Sequence, residues 1–266
     1  MFKVNRQTKI LYTFDNPQQN WQLDFALQEI SGLDFDASTD KLVAVNDEKG
    51  NVYAIDPYTG RSEKLYEFHK NGDYEGIAVV DKHHYVLKSN GKLYRYNLKK
   101  EKTKEIETKL SAKNDCEGLC YNASSQRLLI ACKGMPLDER KNIKAVYKYS
   151  IEEQKVSKKP VVEINLQVLK EKGEEAELTP NQQWRIRRFS PSGIAIHPQT
   201  HDYYILSARG SMLLVINEEQ KIEHLVFLNI TQLPQPEGIC FDKDHNLFIS
   251  SEGKADRGKL LKYKMR

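Results

Sequence analysis

Glu237-Gly238-Ile239-Cys240-Phe241 is the stretch that decides the fold, because four variants of it precede it. They are Ser31-Gly32-Leu33-Asp34-Phe35, Glu75-Gly76-Ile77-Ala78-Val79, Glu117-Gly118-Leu119-Cys120-Tyr121 and Ser192-Gly193-Ile194-Ala195-Ile196. Each reads Glu or Ser, Gly, large apolar, small, large apolar. The glycines fall at 32, 76, 118, 193 and 238, in steps of 44, 42, 75 and 45 residues. A period of about 40 to 50 residues in strand-rich sequence marks the blades of a β-propeller.

Working outward from each copy, the chain reads as four short strands. In the first repeat these are Gly32 to Asp36, Lys41 to Asn46, Asn51 to Asp56 and Arg61 to Phe68. The turns between them are rich in Gly, Pro, Asp and Asn, which tolerate the backbone angles that turns need. The fifth repeat ends one strand short. An open blade leaves an unpaired edge. The strand-like segment Thr8 to Phe14 is therefore expected to supply the missing strand and close the ring. The fold class is all-β: a five-bladed propeller of four-stranded blades, closed by an N-terminal strand in the C-terminal blade, with six blades as the alternative. One domain spans residues 1–266. The long step of 75 leaves residues 165–189 as an insertion between the third and fourth blades, read as a short helix or solvated loop.

The position two after each glycine is Asp34, Ala78, Cys120, Ala195 or Cys240, flanked by large apolar residues. Blades converge on an axis, and small/large alternation fits that taper. The glycine either lets backbones approach closely or supplies a positive φ.

The bulk numbers agree with a wet-surfaced globular chain. Of 266 residues, 39% are apolar and 29% charged, and the net charge of +4 is spread without a basic block. A phosphate-tracking surface needs a focused basic patch, so nucleic acid is not an expected partner. No run of 18 apolar residues suggests a membrane-spanning helix. Residues 1–15 contain no apolar secretion segment, so the chain is either cytoplasmic or separated from a leader. Cys116, Cys120, Cys132 and Cys240 lack a second metal-ligand pair and read as small buried hydrophobes.

The repeated Glu or Ser opens each inner strand on the face that also carries the turns between second and third strands. The expected site is therefore the polar mouth of the central channel. It comprises Ser31, Asn46, Asp47, Glu75, Lys88, Glu117, Lys133, Ser192, Ser207, Arg209, Glu237 and Glu252. Clustered acids need a counter-charge. Either a divalent cation, Ca²⁺ by preference for oxygen ligands, or the nearby lysines and Arg209 supplies it. The two long links, with Trp21 on one and Trp184, Arg185, Arg187 and Arg188 on the other, are expected at this face, the second as a lid whose arginines hold an anion. His83, His84, His197, His201 and His245 fall on the opposite face and read as surface residues. No nucleophile elbow, zinc-protease motif or P-loop occurs, and no nucleotide cofactor is expected.

These residues resemble the SdiA-regulated (YjiK-like) family of bacterial propellers. The resemblance rests on Pro234-Gln235-Pro236-Glu237-Gly238-Ile239, Ile30-Ser31-Gly32 and Leu42-Val43-Ala44-Val45-Asn46-Asp47-Glu48. It implies five blades, no settled biochemical activity, and a periplasmic or membrane-associated setting. Lys88-Ser89-Asn90 departs from the family, standing where an acidic residue is commoner. A more distant similarity to calcium-dependent lactonase propellers, which have six blades, implies Glu75, Glu117 and Glu237 as metal ligands. The function expected is a monomeric binding or interaction module, its mouth taking a small ligand, a cation or a protein segment. The alternative is a calcium-dependent hydrolase of lactonase or phosphoester type.

Overall fold

Five antiparallel sheets follow one another along the chain, and each begins at one copy of the repeat. The computed structural model describes the backbone of residues 2–3 and residues 10–253 and 256–266 in full. The first blade is Ile30–Asp36, Lys41–Asn46, Asn51–Ile55 and Ser62–Glu67. The second is Tyr74–Val80, His83–Lys88, Leu93–Asn97 and Lys102–Ile106. The third is Cys116–Asn122, Arg127–Cys132 and Ile143–Ser150, and its outer edge is split into Lys155–Val156 and Val162–Asn165, both paired with Ile143–Ser150. The fourth is Gly193–Ile196, Tyr203–Ser207, Met212–Ile216 and Ile222–Phe227. Phe2–Lys3 adds a fifth strand to its edge. The fifth blade is Pro236–Phe241, Leu247–Ser251 and Lys259–Tyr263. The chain is a five-bladed β-propeller.

An N-terminal strand does complete the fifth blade, but it is Gln19–Gln22 rather than Thr8 to Phe14. Trp21 pairs with Leu260 there and packs beside Leu23 and Leu260 between blades. Thr8 and Lys9 lie outside the described residues. Ile10 to Phe14 is not a strand, yet its alternation is real: Ile10, Tyr12 and Phe14 are buried while Leu11 and Thr13 are not. The segment threads between the fourth and fifth blades, touching Tyr204, Leu247 and Tyr263. Alternate side chains are swallowed by two flanking sheets, which mimics the period of a strand.

The repeated glycines allow close approach and do not adopt left-handed backbone. A Cβ on Gly32 would sit 2.6 Å from the Cα of Gly76 in the next blade, and one on Gly193 only 2.1 Å from the carbonyl oxygen of Glu237. Inner strands thus meet backbone to backbone around the channel. In four blades the register slips at the repeat, between Ile30 and Leu33, Tyr74 and Gly76, Cys116 and Gly118, and Pro236 and Ile239. A bulge of this kind re-aims the side chain it frees. Here the freed positions include Ser31, Glu75, Glu117 and Glu237.

The insertion forms two helices, α1 (Leu166–Glu175) and α2 (Pro180–Arg187), where one helix or a loop is the sequence expectation. Asn165 caps α1 by accepting from the amides of Gln167 and Val168. Thr179 and Gln182 form a reciprocal capping box on α2, with Pro180 at its first position. Leu169 and Ile186 bury the inner side of this pair against the third and fourth blades. No described helix is long and apolar enough to cross a membrane.

Candidate functional site

The bulged inner strands deliver acids to one end of the channel. Glu75 accepts a 3.1 Å hydrogen bond from the hydroxyl of Ser31 on the neighbouring blade. Burial pushes its carboxyl up to about 10, helped by the charge of Glu117 and by a hydrogen bond with Asp73. Glu75 is therefore protonated at neutral pH. Glu117 is pushed up to about 7 by burial, against the pull of Lys133, whose Nζ lies 2.5 Å from its Oε1. The same ammonium lies 3.7 Å from Asp115. Burial disfavours the charged form of Lys133, but Glu117, Asp115 and Glu75 outweigh it and raise its pKa.

Glu237 is buried as well, only 6% exposed. Burial and the charges of Glu117 and Glu252 push its carboxyl well up. Its Oε2 is buried with no hydrogen-bond partner. An orphaned buried carboxylate oxygen is costly in a finished fold, so this atom marks an unmet interaction. On the first-blade side, carboxylate oxygens of Glu29, Asp47 and Glu252 lie within 4.8 Å of one another. Asp47 is pushed up to about 6 by burial and by Glu29, Glu48 and Asp73. Its Oδ1 is also buried without a partner.

Other residues expected at the mouth are spent on the scaffold. Asn46 accepts from the amides of Glu48 and Lys49 and donates to the carbonyl of Ala26. Ser192 donates to the carbonyl of Pro236 at 2.7 Å and accepts from the amide of Ala208, tying the fourth blade to the fifth. Ser207 accepts from the amide of Ser190. Lys88 is half-buried and, among the described residues, has no carboxylate partner. Glu252 accepts from the side-chain amide of Gln235.

Three expectations are corrected. Trp21 does not reach the mouth, since it belongs to the closing strand at the outer edge of the fifth blade. Arg185 does not present its charge to an anion. Its guanidinium donates to the carbonyls of Gly210, Ser211 and Leu228 and lies over the ring of Phe227, which pins α2 to the fourth blade. Nor are all the opposite-face histidines at the surface: His84 and His197 are 1% and 0% exposed. Burial lowers both to about 4.

Sequence reasoning passed over Glu29, Asp73 and Asp115. The signal is present two residues before the repeated Glu or Ser, where Glu29-Ile-Ser31, Asp73-Tyr-Glu75 and Asp115-Cys-Glu117 share an acid. Period-two spacing before a bulge sends both carboxylates toward one end of the strand.

Beside these acids lies a cavity of about 570 Å³ between α2 and the fourth and fifth blades. Glu117, Lys133 and Glu237 contribute on the channel side, and Trp184, Arg188, Arg209 and Ile230 on the outer side. Trp184 is 47% exposed, and the Arg188 guanidinium lies 4.6 Å from its ring centre.

The bulged acids, the Pro236-Glu237-Gly238 strand and the five-sheet ring occur together in a chain whose residues 12–255 match the model of one family, described as SdiA-regulated. The chain belongs to the SdiA-regulated family. No curated protein matches it in sequence. Among solved structures, regucalcin of Agrobacterium tumefaciens, a calcium-binding protein, is similar at 10% identity with a TM-score of 0.57, over 92% of this chain and 94% of that one. A streptogramin B lyase matches at 10% identity and TM-score 0.56, over 93% and 97% of the two chains. The aldose sugar dehydrogenase of Streptomyces coelicolor matches at 13% identity and TM-score 0.52, over 94% and 100%. At these identities the likeness is one of fold, and a fold shared by a calcium-binding protein, a lyase and a dehydrogenase fixes no activity for this SdiA-regulated chain.

Proposed function

We propose that this SdiA-regulated propeller is a binding module whose channel mouth takes a positively charged ligand, with Ca²⁺ as the divalent cation its donors suit. The observation that carries this reading is the partnerless Oε2 of Glu237, buried among further acids. The donor set fits a hard cation, because Ca²⁺ is held by six to eight oxygens, many from carboxylates. Of Glu75, Glu117 and Glu237, the three first expected as ligands, Glu75 carries a proton and Glu117 already holds Lys133. That leaves the partnerless oxygens of Glu237 and Asp47, where a bound cation would take the place of the proton that burial favours. The likeness to a calcium-binding propeller supports the same choice.

Calorimetric titration of Ca²⁺ into EDTA-treated protein tests the reading. Binding that Glu237→Gln weakens at least about tenfold, the loss expected for a charged contact, upholds it. No heat at millimolar Ca²⁺, and none with a simple alkylammonium ion, rejects it.

A hydrolase reading has one observation in its favour. Glu117 sits near neutrality in a cavity of small-molecule size, which suits a general base. Lactone or ester turnover in Ca²⁺ that Glu117→Gln abolishes would select it. Its absence with bound Ca²⁺ selects the binding module.

A further inference from the structure

The cavity between α2 and the fourth and fifth blades is charged in two opposite senses. Toward the channel it ends on the Glu117–Lys133 pair and on Glu237, whose Oε2 has no partner. At its outer wall stand Arg188 and Arg209, both exposed, and among the described residues neither has a carboxylate partner. Arg185, by contrast, is consumed by three backbone carbonyls, so the free cationic groups of the wall are Arg188 and Arg209. Arg188 is stacked over Trp184, which presents its guanidinium as a flat fork of donors matching a carboxylate. Trp184 and Ile230 add apolar surface to this wall, 47% and 59% exposed.

A cation alone would satisfy the acids and leave the arginines unmet. An anion alone would do the reverse and leave the Oε2 of Glu237 unmet. A molecule bearing both charges at its two ends meets both walls, and an apolar side chain between them covers Trp184 and Ile230. The volume of about 570 Å³ lies within the range of small-molecule sites. We propose that this cavity binds a small zwitterion, a free amino acid or dipeptide with a bulky apolar side chain, its ammonium at Glu237 and its carboxylate at Arg188 and Arg209. The proposal rests on the cation-binding reading above and adds the anionic half.

Leucyl-leucine is the probe, titrated calorimetrically into the full chain in EDTA beside its N-acetyl and C-amide derivatives. The free dipeptide is expected to bind, and removal of either charge to weaken it about tenfold or more. The double substitution Arg188→Gln/Arg209→Gln is expected to weaken the free dipeptide by a similar factor and to leave the C-amide unchanged. Both arginines are exposed, so the fold is retained, and circular dichroism checks this. Equal binding of dipeptide and C-amide overturns the zwitterion and leaves the cation site standing. Equal binding of dipeptide and N-acetyl form overturns the role of Glu237 here. Binding of no form at millimolar concentration overturns the zwitterion, while the Ca²⁺ titration of the same sample decides the cation site separately.

Discussion

The two ends of the channel are built from the same five strands and handle buried polarity in opposite ways. At the end opposite the mouth, the buried carboxylates are closed into local hydrogen bonds. Asp34 accepts from the amides of Phe35 and Val79, and Asp242 accepts from the amides of Asp244 and Asn246. His197 accepts at Nδ1 from the amide of Thr200, so its proton sits on Nε2, facing the oxygen of Tyr12 at 3.0 Å. The Tyr12 hydroxyl in turn donates to the carbonyl of His245 at 2.7 Å. At the mouth, carboxylates face carboxylates, one ammonium serves Glu117 and Asp115, and oxygens of Glu237 and Asp47 are left over. Burial of a polar group is thus no sign of a site by itself. What distinguishes the mouth is that the atoms left over are carboxylate oxygens beside other acids, whereas Nε2 of His84, left over at the opposite end, lies 4.0 Å from Asp36.

The contrast can be broken most sharply at Tyr12. Tyr12→Ala removes a fully buried ring packed against Tyr204, His197 and Phe241. It should cost about 3–5 kcal/mol in urea unfolding and leave cation affinity at the mouth unchanged. A parallel loss of affinity would show that the two ends are not independent. Glu237→Gln should act in the opposite direction. Without cation at pH 7 it should stabilise the chain by on the order of 2 kcal/mol, because it removes an acid that burial disfavours. A destabilised variant would mean that the carboxylate holds the fold together.

The pH dependence sharpens the same point. Asp47 and Glu117 have folded pKa values of about 6 and about 7, above their ordinary values of 3.8 and 4.5. The folded state therefore binds their protons more tightly than the unfolded state. Their contribution is full below pH about 4 and is lost as pH rises through about 6 to 7. In EDTA, unfolding free energy should fall across this window, and Asp47→Asn or Glu117→Gln should flatten the fall. A slope unchanged in both variants would assign it elsewhere, Asp34 first, since burial pushes its carboxyl up to about 6 as well. The smallest expected effect is that of Tyr12→Phe, which deletes only the hydroxyl between His197 and His245 and should cost about 1 kcal/mol by the same unfolding measurement.

The ring was legible in the sequence because its inner strands repeat a steric demand. Gly32 and Gly193 are required where backbones touch, and that demand recurs in every blade. The closing strand was not legible, because Gln19-Asn20-Trp21-Gln22 lies at an outer edge with three of its four residues exposed. Its polar letters carry no alternation, while Ile10, Tyr12 and Phe14 carry a clear one for a different reason, insertion between two blades. The acids Glu75, Glu117 and Glu237 were legible as part of the repeat. Glu29, Asp73 and Asp115 needed the bulge, which only pairing register reveals. The second helix could have been read from Thr179-Pro180 and Gln182, a capping signal that the surrounding charge obscured.

The clasp between Gln19–Gln22 and Lys259–Tyr263 also sets a clock. Arg257 donates to the carbonyl of Leu23 at 2.6 Å across 234 residues of chain. Contacts so remote in sequence form late, and topologies dominated by them fold in milliseconds to seconds. Until that clasp snaps shut, the first and fifth sheets share no seam, and the acid cluster of Glu29, Asp47 and Glu252, drawn from both ends of the chain, does not exist. Competence to bind should therefore emerge in refolding only with the slowest step, after most of the strands are already made.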